Sequence, residues 1–111
     1  MSALTKRYLP TLKKINRLAE KQKHQMIKNC DRQLVDCFSE CAKNILKRHV
    51  PLNPSQFEKL RRNKTHLRTL AKKRTSLRVK RKILQRGGFL ASLLPPILSV
   101  LGGLLLNNAT R

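Results

Sequence analysis

Acidic and aromatic residues are scarce in this sequence. Only five Asp or Glu stand against 26 Lys or Arg, which gives a formal net charge of +21 over 111 residues. With no Trp and a single Tyr, few rings are present to stack on unpaired bases. Repulsion among so many positive charges opposes compaction unless an anion or a partner neutralises them. The charge balance therefore indicates nucleic acid or an anionic membrane surface as the partner.

Paired cysteines are also missing. Cys30, Cys37 and Cys41 are odd in number and lack the Cys-x2-Cys spacing of a zinc turn, which argues against a disulfide scaffold and a zinc site. Their spacings of seven and four predict small buried residues on one helix face. No arrangement of cysteine, histidine and an orienting residue indicates a catalytic site. We expect no enzymatic activity, no catalytic residue, no bound metal and no cofactor.

The fold class predicted from the residue pattern is all-α, with a small core and partial disorder. Residues 1–50 form an amphipathic helical region, because neither Pro nor Gly interrupts 11–48 and apolar residues recur at intervals of three and four. This predicts one long N-terminal helix, with a polar middle at 20–25 where it could hinge or break. The polar N-terminus predicts no signal peptide and an intracellular setting.

Residues 51–86 form a basic helical region that follows a Pro-containing turn. Asn53 is the predicted N-cap of a helix, Pro54 suits its first position, and Gln56 stands where a capping-box partner belongs. The pattern permits two shorter helices separated near Thr75-Ser76, or one helix from Pro54 to Arg86. The two helical regions are predicted to form an antiparallel hairpin, which buries Leu34, Phe38, Cys41 and Ile45 against Phe57, Leu60 and Leu67.

Gly87 and Gly88 form a predicted flexible hinge before an apolar tail, residues 89–111. No charged residue occurs from 89 to 106, but Pro95-Pro96 disfavours one straight helix through the tail. Two short apolar segments, inserted shallowly in a membrane or docked on a capsid protein, fit better. The candidate membrane or docking residues are Phe89, Leu90, Leu93, Leu94, Ile97, Leu98, Val100 and Leu101.

Thirteen Lys or Arg and no acidic residue occur from Lys59 to Arg86. If this stretch formed one helix, that helix would be about 42 Å long. Duplex DNA of the same length carries roughly 25 phosphates. A peptide that neutralises about half of these phosphates packages DNA rather than reading its sequence. Segments 72–74 and 78–82 also resemble a nuclear localisation patch. The candidate nucleic-acid-binding residues are Lys59, Arg61, Arg62, Lys64, Arg68, Lys72, Lys73, Arg74, Arg78, Lys80, Arg81, Lys82 and Arg86.

The order of a basic run, Gly-Gly and an apolar segment with internal prolines resembles the precursor of the adenovirus core protein X. It is more similar to the protein-X-like reading frames of adintoviruses and related Maverick/Polinton elements. Residues 80–90, 93–98 and 54–77 carry the resemblance, which leaves residues 1–50 without a match. The resemblance implies a virion core protein that binds and condenses double-stranded DNA, located in the virion and the host nucleus.

The same resemblance implies a protease site at the junction. Adenovirus-type proteases cut after Gly-Gly when an aliphatic residue or Met stands four places before the bond. In this sequence the candidate bond joins Gly88 to Phe89. The position four places before the bond holds Gln85, and the aliphatic Leu84 stands one position too early.

The residues alone leave other functions open. A cationic membrane-active protein that acts on anionic lipid would use the basic region to bind headgroups. A basic nucleic-acid-associated subunit of a larger complex is a further alternative, as is RNA in place of DNA. Self-association is a further expected contact, since residues 1–88 offer little apolar area for a core.

Overall fold

The computed structural model describes residues 3–110, with side chains for residues 3–101; residues 1, 2 and 111 and the last side chains of the predicted tail lie outside it. Within that part every regular element is helical, which confirms the all-α class. The helices are α1 (Ala3–Arg7), α2 (Leu9–Asn16), α3 (Glu20–Asn29), α4 (Arg32–Leu46), α5 (Pro54–Arg62), α6 (Lys64–Ala71), α7 (Leu77–Leu84) and α8 (Phe89–Thr110).

The predicted N-terminal helix is divided among α2, α3 and α4. The first break borders the polar segment 20–25, where a break was allowed, whereas the second break, at Cys30, was not expected. The chain is extended at Ala19 (φ −67°, ψ 157°) and at Cys30 (φ −76°, ψ 157°), which ends the helical hydrogen bonding on either side of α3. Asp31 then starts α4, since its carboxylate accepts the Leu34 amide N–H at 2.9 Å. A side-chain N-cap of this kind favours a new helix start over continuation.

Helix α4 ends in a Schellman motif centred on a non-glycine residue. Arg48 adopts the left-handed conformation, with φ 61°. Its amide N–H donates to the Ile45 carbonyl at 3.0 Å, and the His49 N–H donates to the Asn44 carbonyl at 2.9 Å. Glycine is the usual residue at this position because it lacks a Cβ.

The basic region consists of three helices rather than one. Asn53 and Gln56 form the predicted capping box of α5: the Asn53 side chain accepts the Gln56 N–H at 2.8 Å, and the Gln56 side chain accepts the Asn53 N–H at 3.1 Å. Ser76 caps α7 by accepting the Val79 N–H at 3.2 Å. The break at Asn63, between α5 and α6, was not expected from the sequence.

The predicted packing of the two helical regions is confirmed except at one residue. Helix α4 packs most extensively against α6, and its apolar face is buried together with Leu60 and Leu67. Phe57, however, is 55% exposed, so its assignment to this core was wrong. Leu60 and Leu67 are buried, whereas Phe57 keeps more than half of its surface accessible to solvent.

Helix α8 is a core helix, not a separate tail. It continues through Pro95 and Pro96, packs most extensively against α2, and also contacts α4, α5 and α7. The expectation of two short segments was therefore wrong. An interior proline costs about 3 kcal/mol, but burying one Leu or Phe side chain stabilises by about 1.5–3 kcal/mol, and α8 buries several. The radius of gyration, 13.3 Å, matches the value of about 13 Å for a folded domain of this length.

The Gly-Gly junction has a defined geometry. Helices α7 and α8 meet at 89°, and Gly88 has φ +79°. The Gly88 N–H donates to the Glu20 carboxylate at 3.3 Å, and the Gln85 side-chain amide donates to the His24 carbonyl at 3.3 Å. These contacts attach the turn to α3, so the direction in which α8 leaves is set by the fold.

Candidate nucleic-acid interface

Most of the basic run lies on the protein surface. Eleven of its thirteen cationic side chains are exposed, distributed over α5, α6, the 72–76 loop, α7 and the turn at 85–88. No acidic residue interrupts them from 59 to 86, and the nearest, Glu58, precedes the run. These eleven are Lys59, Arg61, Arg62, Lys64, Arg68, Lys72, Lys73, Arg74, Arg78, Lys82 and Arg86.

The two remaining cations of the run are involved in the fold. Lys80 is only 7% exposed, so its hydrocarbon stem contributes to packing. One terminal nitrogen of the Arg81 guanidinium donates to the Cys30 carbonyl, at the end of α3, while its Nε is buried without a partner. Arg81 therefore joins α7 to α3 and is less available to a ligand than its neighbours.

A shallow basic depression lies where α3 meets α7. It has a volume of about 660 Å³, and Lys28 from α3 lines it together with Arg78, Arg81 and Lys82 from α7. Lys28 comes from outside the basic run, so sequence reasoning did not include it. Four cations around one depression form a suitable site for a phosphate group.

The basic surface is bent rather than rod-like. Because the run is divided among α5, α6 and α7, its cations do not lie along one straight helix of about 42 Å. The helices present charge on several sides of a body that measures 42 × 27 × 27 Å. A straight duplex would contact a subset of these cations, whereas a curved or condensed duplex would reach more of them.

Few of the cations are neutralised inside the described part of the chain. The ion pairs found there join Lys23 to Glu20 at 3.7 Å, and Arg61 and Arg62 to Glu58 at 2.7 and 3.9 Å. The hydrogen bond from Arg61, assisted by its charge, lowers the pKa of Glu58. Such exposed pairs are weak in water, so a phosphate can replace Glu58 as the partner of Arg61.

Cys37 and Cys41 are buried on α4, as predicted. The prediction that all three cysteines share one helix face was wrong for Cys30, which is half-buried at the end of α3, where the chain is extended. The hydrogen bond with Cys37, together with burial, raises the pKa of the Cys41 thiol well above its usual range. Burial likewise raises the pKa of Cys30. Among the described residues no three His, Cys, Asp or Glu side chains are grouped so that they could hold a metal ion.

The candidate membrane or docking residues are covered in this structure. Six of the eight are buried against the other helices, and Leu98 and Val100 are half-buried. Contact with a membrane or a capsid protein would require α8 to leave the core. At the candidate cleavage bond Phe89 is buried, at 2% exposed, whereas Gly88 is half-buried and Gly87 is exposed.

No individual helix in the searched part of the chain has the length and apolar character needed to cross a bilayer. One bent pair, Leu77–Leu84 with Phe89–Leu101, meets those two criteria jointly.

Comparison with protein-family models, with curated proteins and with solved structures finds no match for this chain.

Proposed function

We propose that this protein binds and condenses double-stranded DNA without sequence preference, through phosphate contacts, as a virion core protein. The observation that carries the proposal is the surface of eleven exposed cations, uninterrupted by acidic residues from 59 to 86. The net charge of +21 and the resemblance to protein-X-like core proteins support it.

Phosphate contact is the mode of binding that these residues favour. Lysines and arginines on several short helices suit the backbone of a curved duplex, and the sequence carries no zinc-finger, homeodomain or RNA-recognition signature. Each neutralised phosphate releases counterions, so affinity should fall steeply with salt. With about eight to ten phosphates engaged, the slope of log K against log [salt] should be about −7 to −9.

Two charge-matched variants test whether the basic run is the interface. The first changes Lys72, Lys73 and Arg74 to Gln in the exposed loop between α6 and α7; the second changes Lys13, Lys14 and Arg17 to Gln on α2 and just beyond it. Both remove three exposed charges. The loop variant should make the salt slope shallower by about 2.7, and the α2 variant by less than about 1.

Fluorescence anisotropy with duplexes of two unrelated sequences supplies both the slopes and the sequence preference. A slope shallower than about −3, or a strong preference for one duplex, would contradict the proposal. Equal effects of the two variants would show that net charge alone, without a located interface, drives binding.

The membrane or capsid contact of residues 89–101 belongs to a different state of the chain in this proposal. Because the tail side chains lie in the core, we expect the folded protein to bind anionic vesicles through its cations alone. Vesicle leakage should then appear only under conditions that also disrupt the packing of the helices. Circular dichroism would follow that disruption.

A further inference from the structure

A groove with a cationic rim opens beside the basic run. It has a volume of about 920 Å³ and lies between the end of α4, the following loop, and helices α5 and α6. Arg48, Arg61, Lys64 and Arg68 line it, and no acidic side chain is found among its described lining residues. One of these cations, Arg48, holds the left-handed conformation described above at the mouth of the groove.

Phe57 is the aromatic residue of this groove. The other two phenylalanines, Phe38 and Phe89, are at most 2% exposed, whereas Phe57 is 55% exposed. An isolated exposed apolar side chain is ordinary on a protein surface. An exposed ring that lines a groove together with four cations is a different arrangement.

The ring and three of the cations come from two consecutive helices. Phe57 and Arg61 lie on α5, Lys64 and Arg68 lie on α6, each pair at a spacing of four residues, and all four line the groove. Proteins that bind single strands combine an aromatic stacking surface with cations that follow the phosphates in this way.

We propose that the groove holds an unpaired segment of DNA, with one base stacked on Phe57 and the adjoining phosphates contacted by Arg61, Lys64 and Arg68. This inference rests on the proposed function and deepens it, because it gives the protein a preference for melted or single-stranded segments beyond general phosphate binding. An acidic amphipathic helix fits less well. Such a helix needs several accessible apolar anchor sites. The leucine, isoleucine and valine side chains that also line the groove are buried or half-buried, whereas its four cations face no acidic lining residue and suit phosphates.

Glu58 opposes the proposed occupant. Its carboxylate lies 2.7 Å from the Arg61 guanidinium, so it competes with a phosphate for that cation. Replacing Glu58 with Gln removes the competing charge. Glu58→Gln should therefore strengthen single-strand binding, in the direction opposite to changes at Phe57.

The test uses the full-length protein with two probes of equal nucleotide length, a labelled oligo-dT and a labelled mixed-sequence duplex. Phe57→Leu keeps an apolar side chain but removes the ring, and it should weaken oligo-dT binding about fivefold or more. Duplex binding should change less than about twofold, because the phosphate contacts remain. Phe57→Tyr should restore oligo-dT binding.

Val79→Ala is the matched control. Val79 is the other exposed large apolar residue among those described, 41% exposed on α7 and outside the groove. It should leave both affinities unchanged. A 2-aminopurine placed in the oligo-dT gives a second readout, since its fluorescence should be quenched by the wild type and less so by Phe57→Leu.

Four outcomes would overturn the inference. Unchanged oligo-dT affinity in Phe57→Leu, with duplex binding and its salt slope intact, would reject the groove and leave the proposed function standing. Equal losses on both probes would show that Phe57 supports the fold and not a base. An acidic amphipathic peptide that binds more tightly than oligo-dT and depends on Phe57 would assign the groove to a protein partner. Absence of salt-dependent binding to either DNA would reject the proposed function and the inference together.

Discussion

Replacing Gly88 with Ala should destabilise the protein, whereas the same change at Gly87 should not. Gly88 has φ +79°, in the left-handed region, where an L residue costs about 1–2 kcal/mol. A Cβ would meet no heavy atom within 4 Å at either glycine, so neither change adds a clash. The cost at Gly88 is therefore a backbone cost and not one of packing.

The paired design isolates that cost. Both substitutions reduce the conformational freedom of the unfolded chain, which stabilises by about 0.4–1 kcal/mol at a compatible position. This gain is common to both variants and cancels in their difference. Gly87→Ala should be neutral or slightly stabilising, and Gly88→Ala should be less stable than Gly87→Ala by about 1–2 kcal/mol.

Urea unfolding followed by far-UV circular dichroism measures the difference directly. For a domain near this size, each kcal/mol corresponds to about 4–8 °C in Tm, so thermal unfolding gives an independent value. Equal stability of the two variants would refute the reasoning. It would mean that the junction samples many conformations, as a flexible hinge does, and that the contacts to Glu20 and His24 do not hold it.

Three further changes test the helix ends and the buried thiols. Arg48→Gly should stabilise the protein by about 0.5–1 kcal/mol in urea unfolding, because glycine accepts the left-handed conformation; a loss of stability would show that the Arg48 side chain contributes to the fold. Asn53→Ala should cost about 1 kcal/mol by removing the N-cap of α5, and an unchanged midpoint would indicate that α5 starts without it. Changing all three cysteines to Ala should cost about 2–4 kcal/mol and leave duplex affinity unchanged, a result contradicted by stoichiometric zinc that is lost in the variant. In the wild type, a disulfide reagent near pH 8 should modify Cys30 first, because Cys37 and Cys41 are buried; simultaneous labelling of all three would refute that order.

Local hydrogen-bonding chemistry made part of the fold predictable. The side chains of Asn53 and Gln56 satisfy amide groups within one turn of the chain, so the sequence alone identifies the start of α5. The break at Ala19 carries a weaker signal, because the Gln22 side chain accepts the Ala19 N–H at 3.1 Å but alanine has no side-chain acceptor to complete the box. No side-chain hydrogen bond caps the start of α6 at Asn63.

The surface position of the basic run was also predictable from the sequence. A run of cations without acidic residues must lie largely at the surface, and eleven of thirteen do. Lys28 joins the depression between α3 and α7 from another helix, and Phe57 faces the groove although its spacing suits the core. The apolar pattern of α8 required burial but did not specify whether lipid, a partner or the chain's own core would provide it.

The packing of α8 determines what a cut between Gly88 and Phe89 would achieve. Its buried side chains contact α2, α4, α5 and α7, so the severed segment would stay bound as one half of a two-fragment complex. The intact junction supplies only an effective concentration, which cleavage would remove. After the cut, α8 would be held by affinity alone, and an outside apolar surface could exchange with its binding site. Cleavage would thus leave α8 bound to the rest of the fold without a covalent link, so that another apolar partner could displace it.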